Sequence, residues 1–317
     1  MTTEPLTKKR GLFVGVTTLD CIYQAAHPPA ANEKVAATKS LMVAGGPATN
    51  AAVAFAQLGR VNQATLLSVI GSHALASLIR EDLQGQGVML ADLDADRLSP
   101  PPVSSIVVSA ESGDRAVISR SAEDLQVELD KLAASELSEE SLQGVDVVLV
   151  DGHQMAVSAR IAQWANAQNI PVVVDAGSWK PHFETVLPFA TAVIASDNFH
   201  PPGCQRAEDV LAYLAELGVG RRAITRGAAP IIFQEGDAQG EIEVPKVRAV
   251  DTLGAGDIFH GAFCHFSLTH TFEEALLKAS RTASFACQHW GTRDWTKIYR
   301  MTGEDVEACS ENEETTN

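Results

Sequence analysis

Short apolar runs rich in Val and Ile alternate with longer amphipathic stretches along most of this chain, and this alternation restricts the fold more than any other feature. The runs fall at 11–18, 64–70, 145–150, 171–175, 192–195 and 222–225. Their unbroken hydrophobicity suits strands buried on both faces, the condition of a parallel sheet. Between them, segments 48–58, 74–84, 156–167, 207–217, 255–267 and 272–288 repeat apolar residues near a 3.6-residue period and predict helices. Strands alternating with helices pack as an α/β layer fold, with helices on both faces of a mostly parallel sheet. Segments 34–45 and 104–120 break the alternation, reading as strands without an intervening helix, the second as a hairpin turned through "ESGD". We expect one domain over 1–302 that carries a small β-sheet lid, its segments at about 20–45 and 100–120. The prolines at 100–102 would stiffen the entry to the hairpin.

A length of 317 residues fits one large domain with a small insertion. Acidic residues number 40 against 24 Lys and Arg, a formal net charge of −16, which argues against a phosphate-backbone partner and hence against nucleic acid. Part of the excess lies at 303–317, which has acids and no Lys or Arg and reads as a solvated, poorly ordered tail. The apolar run after the first basic residues is too short and too interrupted for a signal-peptide core, and nothing later approaches a membrane span. The expected location is cytoplasmic, with no membrane partner. Cys21, Cys204, Cys264, Cys287 and Cys309 are widely spaced without a C-x-x-C pair, so neither a disulfide framework nor a zinc site is expected.

The chemistry concentrates in "DTLGAGD", Asp251 to Asp257, which joins a strand-like segment "EIEVPKVRAV" to the helix predicted from 255. Such a junction lies at the carboxyl end of an α/β sheet, where ligands bind. Gly254, Ala255 and Gly256 have little or no side chain, so their N–H groups can approach an anion at the positive end of the helix dipole. Asp257 follows directly and can accept the proton of an attacking hydroxyl. A capping acid alone would explain less, because a carboxylate beside a phosphate site is repulsive and needs a purpose. An earlier motif, "GGPATN", sets Gly45 and Gly46 before a helix whose first turn carries Asn50, and Asp20 follows the first strand. Together Asp20, Gly46 and Asn50 suit the recognition of vicinal hydroxyls.

With its early Gly-Gly-x-x-x-Asn, its late D-T-x-G-A-G-D and the strand–helix alternation between them, the chain resembles the ribokinase-like (PfkB) carbohydrate kinases over about 11–295. The resemblance implies a doubly wound α/β fold with a β-sheet lid and transfer of the γ-phosphoryl group of ATP, with Mg2+, to a hydroxyl of a small carbohydrate. A ketose or another monosaccharide fits that acceptor, as does a sugar phosphate or anionic sugar, which the lid cations Lys34 and Arg120 could meet. It implies Asp257 as base, Gly254, Ala255 and Gly256 as anion hole, and sugar contacts at Asp20, Gly45, Gly46, Asn50, Asp151 and His153. It also implies nucleotide neighbours at Thr225, Arg226 and Gly227 in "AITRGAAP", with Thr252, Ala283 and Cys287 nearby. Asp251 lies where many members bind a monovalent cation, so K+ is allowed, and several members pair through their lids, so a homodimer is allowed. The family's Asn-x-x-Glu segment is replaced here by "ASDNFHPPG", with Asp197 the nearest substitute for the glutamate. His260, one turn after Asp257, reads as a helix histidine packed against the loop, with contact to substrate or orientation of Asp257 as the alternative. Two alternatives stay open: a nucleoside kinase of the same fold, marked by an aromatic base pocket, and a non-catalytic sugar- or nucleotide-binding descendant.

Overall fold

A computed structural model describes residues 8–120, 122, 125–132 and 137–302, so the acidic segment 303–317 lies outside the described residues. Its strands are β1 (Arg10–Val14), β2 (Thr18–Ala25), β3 (Lys39–Gly45), β4 (Gln63–Ser68), β5 (Val88–Asp92), β6 (Val103–Ser109), β7 (Arg115–Ser119), β8 (Val147–Val150), β9 (Val172–Ala176), β10 (Ala192–Ser196), β11 (Arg221–Arg226), β12 (Ala229–Glu235) and β13 (Ala238–Ile242). Its helices are α1 (Pro47–Leu58), α2 (Ala76–Gly85), α3 (Met155–Ala167), α4 (Ala207–Glu216), α5 (Ala255–Ser267), α6 (Phe272–Cys287) and α7 (Asp294–Thr302).

Central strands feed two cores at once, which is why their sequences are apolar throughout. In β1, Phe13 enters one core while Leu12 and Val14 enter the other, and β8 divides Val147 and Leu149 from Val148 and Val150 in the same way. Helices α1, α2, α5, α6 and α7 pack on the first face, and α3 and α4 on the second. The large sheet runs β13-β12-β11-β10-β9-β8-β1-β4-β5, parallel from β11 to β5 and closed at one edge by the antiparallel β12 and β13. Strand β1 lies between β4 and β8, so the chain reverses its direction of sheet growth there. That switch point opens a crevice beyond the carboxyl ends of β1 and β8.

The expected strand at 11–18 divides into two. A Cβ on Gly15 would lie 2.1 Å from the Asp151 carboxyl group, and Val16 N donates to Asp151 Oδ2 at 3.0 Å instead of to a ladder. The chain thereby leaves the large sheet and enters a second, four-stranded sheet ordered β3-β2-β6-β7. That sheet has its own apolar layer, Ile22, Val43, Ile106 and Val108 with Trp290. Segment 34–45 is strand only from Lys39, and the strand-like "EIEVPKVRAV" pairs only as far as Ile242, ahead of Pro245, which has no N–H for a ladder. Strands β5 and β12 and helix α7 were not among the expected elements. No helix among the described residues is long and apolar enough to cross a membrane, and the four described cysteines are free.

Candidate active site

Gly254 caps the start of helix α5, and its φ of 70° lies in the left-handed region that favours glycine. A Cβ on Gly254 would lie 3.0 Å from Thr292 Cγ2 and 3.4 Å from Asn50 Nδ2, whereas one on Gly256 would meet nothing within 4 Å. The space beside Gly256 is therefore open at a helix N-terminus, where an anion is favoured. Helices α1 and α5 cross closely enough to bring the two sequence motifs together. A Cβ on Gly261 would fall 2.2 Å from Ala51 O and 2.8 Å from Ala54 Cβ, so only glycine permits this approach. As a result Asn50 Nδ2 donates to Asp257 Oδ2 at 2.8 Å.

Burial pushes the Asp257 carboxyl up to about 7, with the Asp175 carboxylate adding to the rise. The Asn50 hydrogen bond, His260 and Arg115 oppose it. Asn50 is itself oriented, because its Oδ1 accepts from Arg293 Nη1 at 3.0 Å. Arg293 is buried, donates to Ala44 O at 2.5 Å and pairs with Asp82 at 3.1 Å. Sequence reading missed Arg293, since its partners lie on distant elements.

A cavity of about 720 Å³ lies between the two sheets. Its lining includes Asp20, Gly46, Asn50, His153 and Asp257 from the expected set, joined by Thr18, Ser104, Arg120, Lys180 and His182. Asp20 is buried, which raises its carboxyl, while hydrogen bonds from Thr18 and Ser104 and the charge of Arg293 work against the rise. Thr18 Oγ1 donates to Asp20 Oδ1 at 2.6 Å. Gly45 does not line the cavity: a Cβ there would overlap Asp20 at 1.9 Å, so this glycine makes room for the acid. Nor does Asp151, expected at the sugar. Its oxygens accept from Val16 N, Ala48 N and His153 N at 2.9–3.1 Å, tying the end of β1 to the start of α1. Burial alone would raise this carboxyl, but the charge and hydrogen bonds of His153, aided by Lys180, hold it below the usual carboxylate range.

The residues expected at the nucleotide stand apart from this cavity's lining. Asp197 N donates to Thr225 O at 3.0 Å, joining the ends of β10 and β11, and Arg226 donates to Pro230 O at 2.8 Å. A Cβ on Gly227 would meet nothing within 4 Å. Ala283 and Cys287 belong to α6, and Cys287 O accepts from Val250 N and Asp251 N, docking that helix end on the loop. Burial pushes the Cys287 thiol up to about 11.

The Asp251 carboxylate accepts from Leu253 N and Gly291 N, each at 2.9 Å. Arg115, at the start of β7, donates to Thr252 O at 3.2 Å, and Thr252 Oγ1 reaches Gly113 O at the same distance. The tip of the β6–β7 hairpin thus clasps the loop that leads into α5. Each Asp251 oxygen accepts one of these bonds, so the carboxylate keeps lone pairs with which a monovalent cation could be held. Among the described residues, no group of three or more His, Cys, Asp or Glu is placed to hold a metal. Magnesium bound through water and nucleotide phosphates needs no such group.

A sequence model of the pfkB family carbohydrate kinases matches residues 9–298. The chain is 25% identical over 283 residues to a ribokinase of Bacillus subtilis, covering 88% of this chain and 93% of the relative. It is 24% identical over 293 residues to a deoxyribokinase of Salmonella typhimurium, covering 88% and 93%. Among solved structures, the Arabidopsis thaliana ribokinase complexed with ribose and ATP superposes with a TM-score of 0.70 at 21% identity, covering 89% of this chain and 93% of that one. The adenosine kinase of Sinorhizobium meliloti gives 0.76 at 17%, covering 94% and 100%. The fold is ribokinase-like, as the sequence implied, with the large mostly parallel sheet and the smaller one both present. The chain belongs to the pfkB family of carbohydrate kinases, phosphotransferases that use an alcohol group as acceptor.

Proposed function

We propose that this kinase transfers the γ-phosphoryl group of ATP to a hydroxyl of a small carbohydrate held between the two sheets. The observation that carries this reading is the single cavity that joins Asp257, at the open helix N-terminus, to Asp20 and Asn50. Asp20 and Gly46 would bind the vicinal hydroxyls, with His153 at the far side. Asn50 would contact the acceptor while its amide holds Asp257. Asp257 takes the proton of the attacking hydroxyl, and the N–H groups of Gly254, Ala255 and Gly256 stabilise charge on the transferring group. Thr225, Arg226 and Gly227 would flank the nucleotide, with Ala283 and Cys287 walling its base and Thr252 set by Arg115. Magnesium would neutralise phosphate charge when bound, and Asp197 could reach it through water. The smaller sheet would serve as a lid that excludes water from the reaction, since water competes as an acceptor.

The cavity lining contains no Phe, Tyr or Trp among the described residues, which favours a sugar over a nucleoside acceptor. The test is Asp257→Asn. Nucleotide affinity measured by calorimetry should persist, while turnover falls by about two to four orders of magnitude. Turnover near the wild-type value would remove Asp257 from the role of base.

A further inference from the structure

His260 and Asp175 are buried, and neither lines the cavity. His260 Nδ1 lies 2.7 Å from Gly256 O, one helical turn earlier, and Nε2 lies 3.1 Å from Ile194 O in β10. Carbonyl oxygens only accept. A neutral imidazole has one donor and one lone pair, so either tautomer would aim a lone pair at one of these oxygens. Only the doubly protonated ring satisfies both, and a buried cation needs a counter-charge. Asp175 Oδ2, at the carboxyl end of β9, lies 3.5 Å from Nδ1.

We propose that His260 and Asp175 are positioning residues for the base: an imidazolium, with Asp175 as its counter-charge, clamps the Gly256 carbonyl at the root of Asp257 to β10. The clamp fixes the plane of the peptide between Gly256 and Asp257, and so the root of the carboxylate. The charged groups facing Asp257 are Asp175, His260 and Arg115, with the Asn50 amide bonded to it. Those facing Asp175 are His260, Asp151, Lys180 and His153. Burial raises the Asp175 carboxyl, and His260 is the main charge that restrains it. A histidine that merely packed would leave the base untouched.

This assignment rests on Asp257 acting as the base, and the experiment separates the two. The pH dependence of kcat/KM is measured with ATP and D-ribose, or the acceptor turned over fastest, for wild type, His260→Gln, Asp175→Asn and the double variant. The acid-limb midpoint should rise by about one pH unit in His260→Gln and fall by about one in Asp175→Asn. The double variant should return towards wild type. Midpoints that stay together, or that move in the same direction, would overturn the assignment, and with an inactive Asp257→Asn they overturn it alone. A readout independent of turnover and of any variant's folding is nitrogen NMR of 15N-histidine-labelled wild type, assigned by through-bond correlation. Two protonated ring nitrogens on His260 at neutral pH are expected. One protonated and one bare nitrogen would refute the imidazolium.

Discussion

As the proposed base, Asp257 would work near neutrality, because its environment favours the protonated acid at lower pH. With its carboxyl raised to about 7, the group is protonated below that value and loses its proton above it. The kcat/KM of the free enzyme should therefore rise with pH through a limb centred near 7, and a limb near the ordinary carboxylate range would contradict this. Gly256 gives a cleaner separation of fold from function. A methyl group there meets nothing within 4 Å, so Gly256→Ala should leave Tm unchanged or raised. The same methyl would intrude on the space proposed for the anion, and kcat/KM should fall by about a hundredfold. Wild-type activity in this variant would move the anion elsewhere. Asp257, Asp20 and Asn50, which the structure brings to one cavity, could be picked out in the sequence because each sits at a strand end or helix start. Arg293 and Asp175 could not, since their roles arise from partners such as Asp82, Asn50 and His260 that only folding brings near. The family resemblance pointed to Asp151 as a sugar contact, whereas its oxygens accept from backbone N–H groups and it does not line the cavity.

At the scale of elements, the crossing of α1 and α5 converts two separate motifs into one site. Gly261 permits that crossing, and Gly261→Ala would force a methyl against Ala51 O and Ala54 Cβ. Overpacking of this kind costs about 1–3 kcal/mol, so Tm should drop by several degrees. Turnover of the folded fraction should drop as well, because Asn50 and Asp257 move apart; an unchanged rate would show that their contact is dispensable. The β6–β7 hairpin acts on the same loop from the other side through Arg115 and Gly113. Arg115→Ala should lower kcat/KM with little change in Tm, because Arg115 lies near the surface and its two bonds end on Thr252. The strand–helix alternation revealed most elements, but not the break between β1 and β2. That break depends on Asp151, far along the chain, taking the Val16 N–H out of the ladder. Helix α7 escaped because its order comes from burying Trp295 and Tyr299 against the core.

For the molecule as a whole, a cavity lies between the switch point of the large sheet and the small sheet, so the proposed acceptor and base would share a compartment. A lining that holds Asp20 and Asn50 together with the cations Arg120 and Lys180, and no Phe, Tyr or Trp among the described residues, suits a hydroxylated acceptor better than a flat aromatic one. The most direct test is ADP release from ATP and magnesium, measured with and without each acceptor in a panel of D-ribose, 2-deoxy-D-ribose, D-fructose, a fructosamine, a sugar phosphate and adenosine. The account predicts that a sugar accelerates ADP release well above the acceptor-free rate and that adenosine does so less. No acceleration by any sugar, or acceleration by adenosine alone, would contradict it.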